Sequence, residues 1–419
     1  MNWLKRLLYL LVVLVAIAVA LPFVLPLNFY APKIERLVSD RIHEPVTILG
    51  LHIVLLPEPA LVLEDVSAGK LGEFKAQIVR VYVDPFSLMR PVKVLNQISF
   101  DSVTVSQEVL GRIPSWLKAD AASSQMQIKN IRLNKLKMNV TPVDPGLVSA
   151  DIALTPEGGF ASATVTSEDG KASLAIRPEQ DRYALELNAR NWQPPTGPAV
   201  VFDELHINAS LAAEELDMKE IGGSLYGGTI AGAAKLAWHD GWRLNGEVHG
   251  KRVEVERVAS LLSPETTVSG RMDADGRFSM KAKSYAQLFA APGVEVKFKV
   301  ADGVIHNLDM VKAVRASGSE GSRGGQTRFD ELSGALQVSG KSYRLRQLRI
   351  SSGLLSAEGG LEIAPGNAVS GNFHVQIKGT ANFISVPMTL RGSLADPVLK
   401  PSASPSVEPA PDAAAAAQE

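Results

Sequence analysis

The chain has no cysteine, which excludes a disulfide framework, a thiolate nucleophile and a zinc–thiolate site. It also lacks an excess of either charge. Lys and Arg number 43 against 44 Asp and Glu, with no basic stripe and no charge block, so nucleic acid is not expected as a ligand. The seven histidines, at positions 43, 52, 206, 239, 249, 306 and 374, form no HExxH pair and have no carboxylates at ligand spacing. No metal is expected from them. There is no Gly-x-Ser-x-Gly elbow and no Gly-rich turn of the dinucleotide-binding type.

Two segments imitate binding loops. Gly334 to Ser342 (GALQVSGKS) separates its glycines by five residues where a phosphate cradle needs four, and no helical pattern follows. Asp273 to Gly276 resembles the middle of a calcium loop, but Arg271 holds the first ligand position and Ala282 the twelfth. A turn between strands is the better reading of each. The chain therefore reads as non-enzymatic, with no cofactor and no nucleotide.

What is present begins with one long apolar run. Leu7 to Leu27 (LLYLLVVLVAIAVALPFVLPL) follows Lys5 and Arg6, and its length matches a helix across a ~30 Å hydrocarbon core. Nothing later in the chain is apolar enough to span again. Lys33, Arg36 and Arg41 follow the run, so the basic residues alone do not set its orientation. The basic-then-apolar opening resembles a signal region, which places the amino terminus in the cytoplasm and the body outside it. Ala18-Val19-Ala20 imitates a cleavage site, but the apolar run continues through Phe23 to Leu27, which favours an uncleaved anchor.

The body reads as strand after strand. Ile48 to Leu55, Leu61 to Val66 and Ile78 to Val83 alternate with the period of two of half-buried strands. Phe86 to Met89 makes a helical turn, and Ile98 to Val105 another strand. Four Asp-Gly pairs, at 169–170, 240–241, 275–276 and 302–303, predict hairpin turns between antiparallel strands. A helix at 33–39 is expected, and another carries Val255, Val258, Ala259 and Leu262. A further one, capped by Asn307, presents Met310, Ala313 and Val314 on one face. Residues 317–326 read as a flexible loop. The segment from Pro401 is rich in Pro and Ala and reads as a disordered tail.

The predicted organisation is a cytoplasmic stub and anchor (1–30), a first β region (31–127), a central β-meander groove (128–300), a C-terminal β region (301–400) and the tail (401–419). Along the C-terminal strands one face is apolar and the other polar. That face is either the core of a closed sandwich or the wall of an open groove, since alternation serves both.

Ala301 to Lys378 resembles the C-terminal region of AsmA-like proteins. The resemblance rests on ADGVIHNLDM, a Ser/Gly-rich loop, Phe329-Asp-Glu-Leu-Ser-Gly334, and Ser352-Gly-Leu-Leu-Ser-Ala-Glu-Gly-Gly-Leu361. Thr389 to Pro397 resembles the family's closing turn, and Val83-Asp-Pro-Phe-Ser-Leu88 fits its front end. The resemblance implies a single-pass protein of the bacterial inner membrane with a periplasmic body, linked to phospholipid traffic and outer-membrane integrity. It implies kinship with chorein-type lipid-transfer proteins, in which a long bent antiparallel sheet carries acyl chains in an apolar groove. About twenty strands at ~4.8 Å would make a trough on the order of 100 Å. On this reading the lipid-groove residues include Leu361, Ile363, Phe373, Val375, Ile377, Met388 and Leu390. Partners would be phospholipid, the inner membrane and envelope proteins. The rival reading is a membrane-anchored β-scaffold that binds outer-membrane or periplasmic proteins.

Overall fold

A computed structural model describes residues 27–110, 112, 126–139, 144–197, 199–262, 268–315, 321–379, 382–402 and 406–409. The anchor run and its cleavage-like site lie outside these residues except for Leu27. Among the described residues no helix is long and apolar enough to cross a membrane. The chain divides into two compact units, Met1–Leu185 and Glu186–Glu419, and strand dominates both.

In the first unit a short 3-10 turn, Leu27–Tyr30, leads into helix α1 (Ala31–Ile42), with Pro32 in its first turn where no backbone N–H is needed. Strands β1 (Val46–Thr47), β2 (Gly50–Val54), β3 (Ala60–Ala68), β4 (Phe74–Val83) and β5 (Lys93–Ser106) follow. Side chains of the turn and helix accept hydrogen bonds from N–H groups of β1, β2 and the residues between them: Asn28 from Leu51, Glu35 from Ile48 and Ser39 from Val46, at 2.7–3.0 Å. These bonds pin the helix while Ala31, Ile34 and Ile42 pack on Leu51, Leu63, Val79, Val103 and Val105. The short helix α2 (Gln107–Leu110) leaves β5, and β6 (Met126–Asn139) returns parallel to it, Lys93 opposite Met126. The expected sheet was antiparallel throughout. This pair departs from it because a connection of nearly twenty residues is long enough for a crossover. β7 (Leu147–Leu154), β8 (Phe160–Ser167) and β9 (Ala172–Glu179) continue antiparallel. β10 (Arg182–Trp192) contains the division between the units.

The second unit is an antiparallel meander. Its strands are β11 (Phe202–Ala212), β12 (Glu215–Leu225), β13 (Gly228–Ala237), β14 (Trp242–Glu254), β15 (Val268–Ala282), β16 (Gly293–His306), β17 (Gln326–Ser339), β18 (Ser342–Ser352), β19 (Leu355–Ile363), β20 (Ala368–Lys378), β21 (Asn382–Ser393), β22 (Pro397–Pro401) and β23 (Ser406–Pro409). From β11 to β21 each strand pairs with the next. β22 and β23 both pair with β21. Helix α3 (Val255–Leu262) joins β14 to β15, and α4 (Met310–Arg315) joins β16 to β17.

Several sequence expectations meet corrections. Asp169-Gly170 and Asp240-Gly241 are turns, with both glycines at positive φ. Asp275-Gly276 and Asp302-Gly303 lie inside β15 and β16 instead. In β15 the Asp275 carboxylate is paired across the ladder with His249 Nδ1 at 2.7 Å, while Gly276 falls on the opposite, apolar face. In β16 Asp302 takes a φ of 51° at a bulge where β16 carries one more residue than β15. The dipeptide supplies positive φ there without a turn. Gly340-Lys341 is the two-residue hairpin loop expected of it, with Gly340 at positive φ. The cap of α4 is Asp309, whose carboxylate accepts the Lys312 N–H at 2.8 Å; Asn307 instead takes a left-handed φ of 58°. The segment from Pro401 begins as sheet, because Ser406–Pro409 pairs with Asn382 to Ser385.

Candidate functional site

The register of the second unit places a single chemistry on one face. Taken strand by strand, that face carries Leu205, Ile207, Ala209 and Leu211 on β11 and Leu216, Met218 and Ile221 on β12. It continues through Ile230, Gly232, Ala234 and Leu236 on β13, Leu244, Gly246 and Val248 on β14, and Ala274, Gly276, Phe278 and Met280 on β15. β16 and β17 add Val294, Val296, Phe298, Leu336 and Val338. Between these strand ends no described side chain on this face carries a hydrogen-bonding group. The opposite face carries the charges. Lys235 pairs with Glu215 at 2.8 Å, Lys299 with Glu331 at 2.7 Å and Arg349 with Glu358 at 3.2 Å.

Four phenylalanines on this face stand directly opposite a glycine on the neighbouring strand: Phe278 with Gly246, Phe298 with Gly334, Phe329 with Gly303 and Phe373 with Gly359. A Cβ on Gly246, Gly303 or Gly359 would meet the opposing ring or the flanking backbone at under 3.0 Å, and one on Gly334 would meet the Leu348 side chain at 2.8 Å and the Phe298 ring at 3.3 Å. The absence of a side chain is what admits each aromatic ring over the neighbouring strand. Gly232 and Gly276 likewise flank Val248, leaving its side chain 37% exposed.

The two ends of this face differ. Toward the C-terminus it is covered. Met310, Ala313 and Val314 of α4 join Leu332, Ile350, Leu355, Phe373, Val375, Met388, Leu390 and Leu399 in one buried cluster. Thr327, itself buried, clasps the helix start, its hydroxyl donating to the Leu308 carbonyl at 2.6 Å and accepting from Met310 N–H at 3.0 Å. The loop after α4 is tied down by paired backbone bonds between Ser322 and Leu399, at 2.9 and 3.1 Å, and by the Arg323–Asp396 ion pair.

This covering bears directly on the seven predicted groove residues. β19, β20 and β21 bring all of them to one face, Phe373 opposite Met388 and Leu361 and Leu390 both opposite Gly371. Val375 is 0% exposed, Phe373, Met388 and Leu390 are also buried, and Leu361, Ile363 and Ile377 pack against the same cluster. They pack as core side chains, with α4 set against the same cluster and β22 paired alongside β21. Alternation located the face correctly but carried no sign of its cover.

On β12 to β17 the same face is less enclosed. Leu216, Met218, Leu236, Leu244, Phe278, Met280, Val294, Val296 and Leu336 are only half-buried and belong to neither closed cluster. An aromatic chain borders this stretch at one end of the strands. Trp238 stacks on Trp242 with centroids 5.6 Å apart, Trp242 meets Tyr285 at 4.9 Å, and Tyr285 meets Phe289 at 6.1 Å. The Tyr285 hydroxyl donates to Thr196 Oγ1 at 2.7 Å. Thr196 belongs to the connection between β10 and β11, which leaves the other end of the strands, so the two connecting segments touch each other.

The sequence placed a groove across 128–300 but singled out no residue of this half-open stretch. Its signal was present, since glycines interleave with Val, Leu and Phe at even spacing along Leu244 to Val248 and Ala274 to Phe278. It was obscured by the Asp-Gly pair inside it, which read as a turn. No protein-family model matches the chain, and no curated protein matches it in sequence.

Proposed function

We propose that the half-open apolar face of β12 to β17 binds the acyl chains of phospholipid, in a protein anchored in the bacterial inner membrane with its body in the periplasm. The observation that carries this reading is the absence, among the described residues, of any hydrogen-bonding side chain on that face between the strand ends. A peptide laid there would leave its own N–H and C=O groups unsatisfied, at a cost of about 1–3 kcal/mol for each one buried. An acyl chain has no such groups and gains about 0.8 kcal/mol per buried CH₂. Six strands span about 24 Å at ~4.8 Å spacing, more than one leaflet's half of a ~30 Å hydrocarbon core. A headgroup would remain at the strand ends, where Trp242 and Tyr285 offer polar atoms. With uniform aliphatic contact no single position traps the lipid, so it slides along the trough. The AsmA-like resemblance of the flanking segments agrees with this role and with a contribution to outer-membrane integrity.

The test is lipid extraction and mass spectrometry of the purified protein, with Val296→Asp alongside. Phospholipid should accompany the wild type and fall severalfold in the variant at unchanged thermal stability. A well-folded wild type free of lipid would refute the reading and would fit an envelope scaffold.

A further inference from the structure

The first unit exposes a set of large apolar side chains that the trough does not use, and they gather at one end of its sheet. Met89 is 96% exposed, Leu56 82% and Phe86 79%, with Val92 and Met126 also open. Leu56 lies in the β2–β3 connection, Phe86, Met89 and Val92 lie in the β4–β5 connection, and Met126 opens β6. The register puts these at the same end: Val54 faces Ala60, Ala60 faces Tyr82, and Lys93 faces Met126.

The exposure of Phe86 and Met89 is imposed, not slack. The short 3-10 turn Pro85–Met89 is built around Ser87, whose side chain is fully buried. Its hydroxyl donates to the Asp84 carbonyl at 2.7 Å and accepts the Val94 N–H at 2.9 Å. Asp84 caps the turn by accepting the Phe86 N–H at 3.0 Å, and Lys93 Nζ donates to the Arg90 carbonyl at 2.7 Å. A stiff loop thus holds two bare apolar side chains outward beside two cations. Arg90 is exposed and forms no ion pair among the described residues. Glu58, in the neighbouring connection, is the acidic exception.

We infer that this end of the first unit, led by Phe86, Met89 and Leu56, inserts into the interface of a lipid bilayer, with Arg90 meeting anionic headgroups. Three observations select a membrane over a protein partner. The apolar groups are separate loop tips, a form that suits a fluid interface better than a rigid complementary surface. Exposed Arg90 stands beside Phe86 and Met89, where an anionic leaflet would attract it. The chain enters the unit at Leu27 from the apolar run, and its 3-10 turn contacts β2, the strand that leads to Leu56. An exposed Phe29 lies in that same turn.

The chain's lack of cysteine makes the test clean. Full-length Met89→Cys and, as control, Leu71→Cys would carry an environment-sensitive fluorophore. Leu71 is 88% exposed but lies in the β3–β4 connection at the opposite end of the strands. The protein would be reconstituted in vesicles of phosphatidylethanolamine and phosphatidylglycerol that contain nitroxide-labelled lipid. Emission from position 89 should shift to the blue and be quenched by the nitroxide, while position 71 stays water-like. Adding Arg90→Glu should reduce the quenching at position 89. Water-like emission from position 89, or a blue shift without lipid quenching, would overturn the inference. Lipid content of the trough is read separately, so either proposal can fail alone.

Discussion

Replacing Val375 and Val248 by aspartate, one at a time, separates a covered apolar face from an open one. The two valines occupy the same face of the same meander, six strands apart. Val375 is fully enclosed by the α4 cluster, whereas Val248 is 37% exposed between two glycines. At position 375 the change forfeits the burial of a valine, about 1.5–3 kcal/mol. It also leaves a carboxyl with no partner, adding about 1–3 kcal/mol even after it takes up a proton. The sum, about 3–6 kcal/mol, is a large part of the ~5–15 kcal/mol that holds a domain together. At position 248 the carboxylate reaches water and little packing is lost, so the cost is about 1 kcal/mol. Urea unfolding of the purified variants reads this directly, with Val375→Asp unfolding at far lower denaturant and Val248→Asp close to wild type. Lipid content should show the reverse asymmetry among folded molecules, falling for Val248→Asp. Equal stability of the two variants would refute the covered core, and with it the division of this face into closed and open parts.

Gly246→Ala places a Cβ 2.4 Å from the Phe278 ring and 2.6 Å from the Ala233 carbonyl. Because backbone cannot yield cheaply, it should destabilise by about 1–3 kcal/mol, measured as a lowered unfolding midpoint. Thr327→Val keeps the shape but orphans the Met310 N–H at the start of α4. A loss of about 1–3 kcal/mol is expected, with faster hydrogen exchange in the helix as its local signature. Asp169 is held below the usual carboxylate range, first by the Ser167 hydroxyl and then by the Lys171 N–H. A lowered folded pKa gives stability that is complete above the unfolded value and is lost as pH falls through the folded one. Ser167→Ala should therefore weaken the β8–β9 turn at neutral pH and make that turn less sensitive to acid, as followed by NMR of its amides.

Much of the fold was legible in local chemistry. Period-two alternation marked β2 to β5, because each of these strands buries one side only, and Gly340-Lys341 marked a hairpin because a two-residue loop needs positive φ. Helix α4 was readable from Met310, Ala313 and Val314, whose spacing closes one helical face. The limits were equally physical. Asp-Gly signals positive φ but not chain reversal, so Asp302 at a bulge and Asp275 in a ladder pair both looked like turns. Pairing direction at β5–β6 depends on where the chain goes between them, and no residue within either strand encodes it.

For function, the sequence by itself determined that one face of the C-terminal strands is mainly apolar, and that the chain carries no thiol. Only the tertiary structure decided which part of that face is shut. The choice depends on α4 folding back over β19 to β21, through contacts between residues tens of positions apart, such as Met310 with the Val375 cluster. Alternation records that a side chain leaves water, but not whether a neighbouring element or a guest molecule takes the water's place.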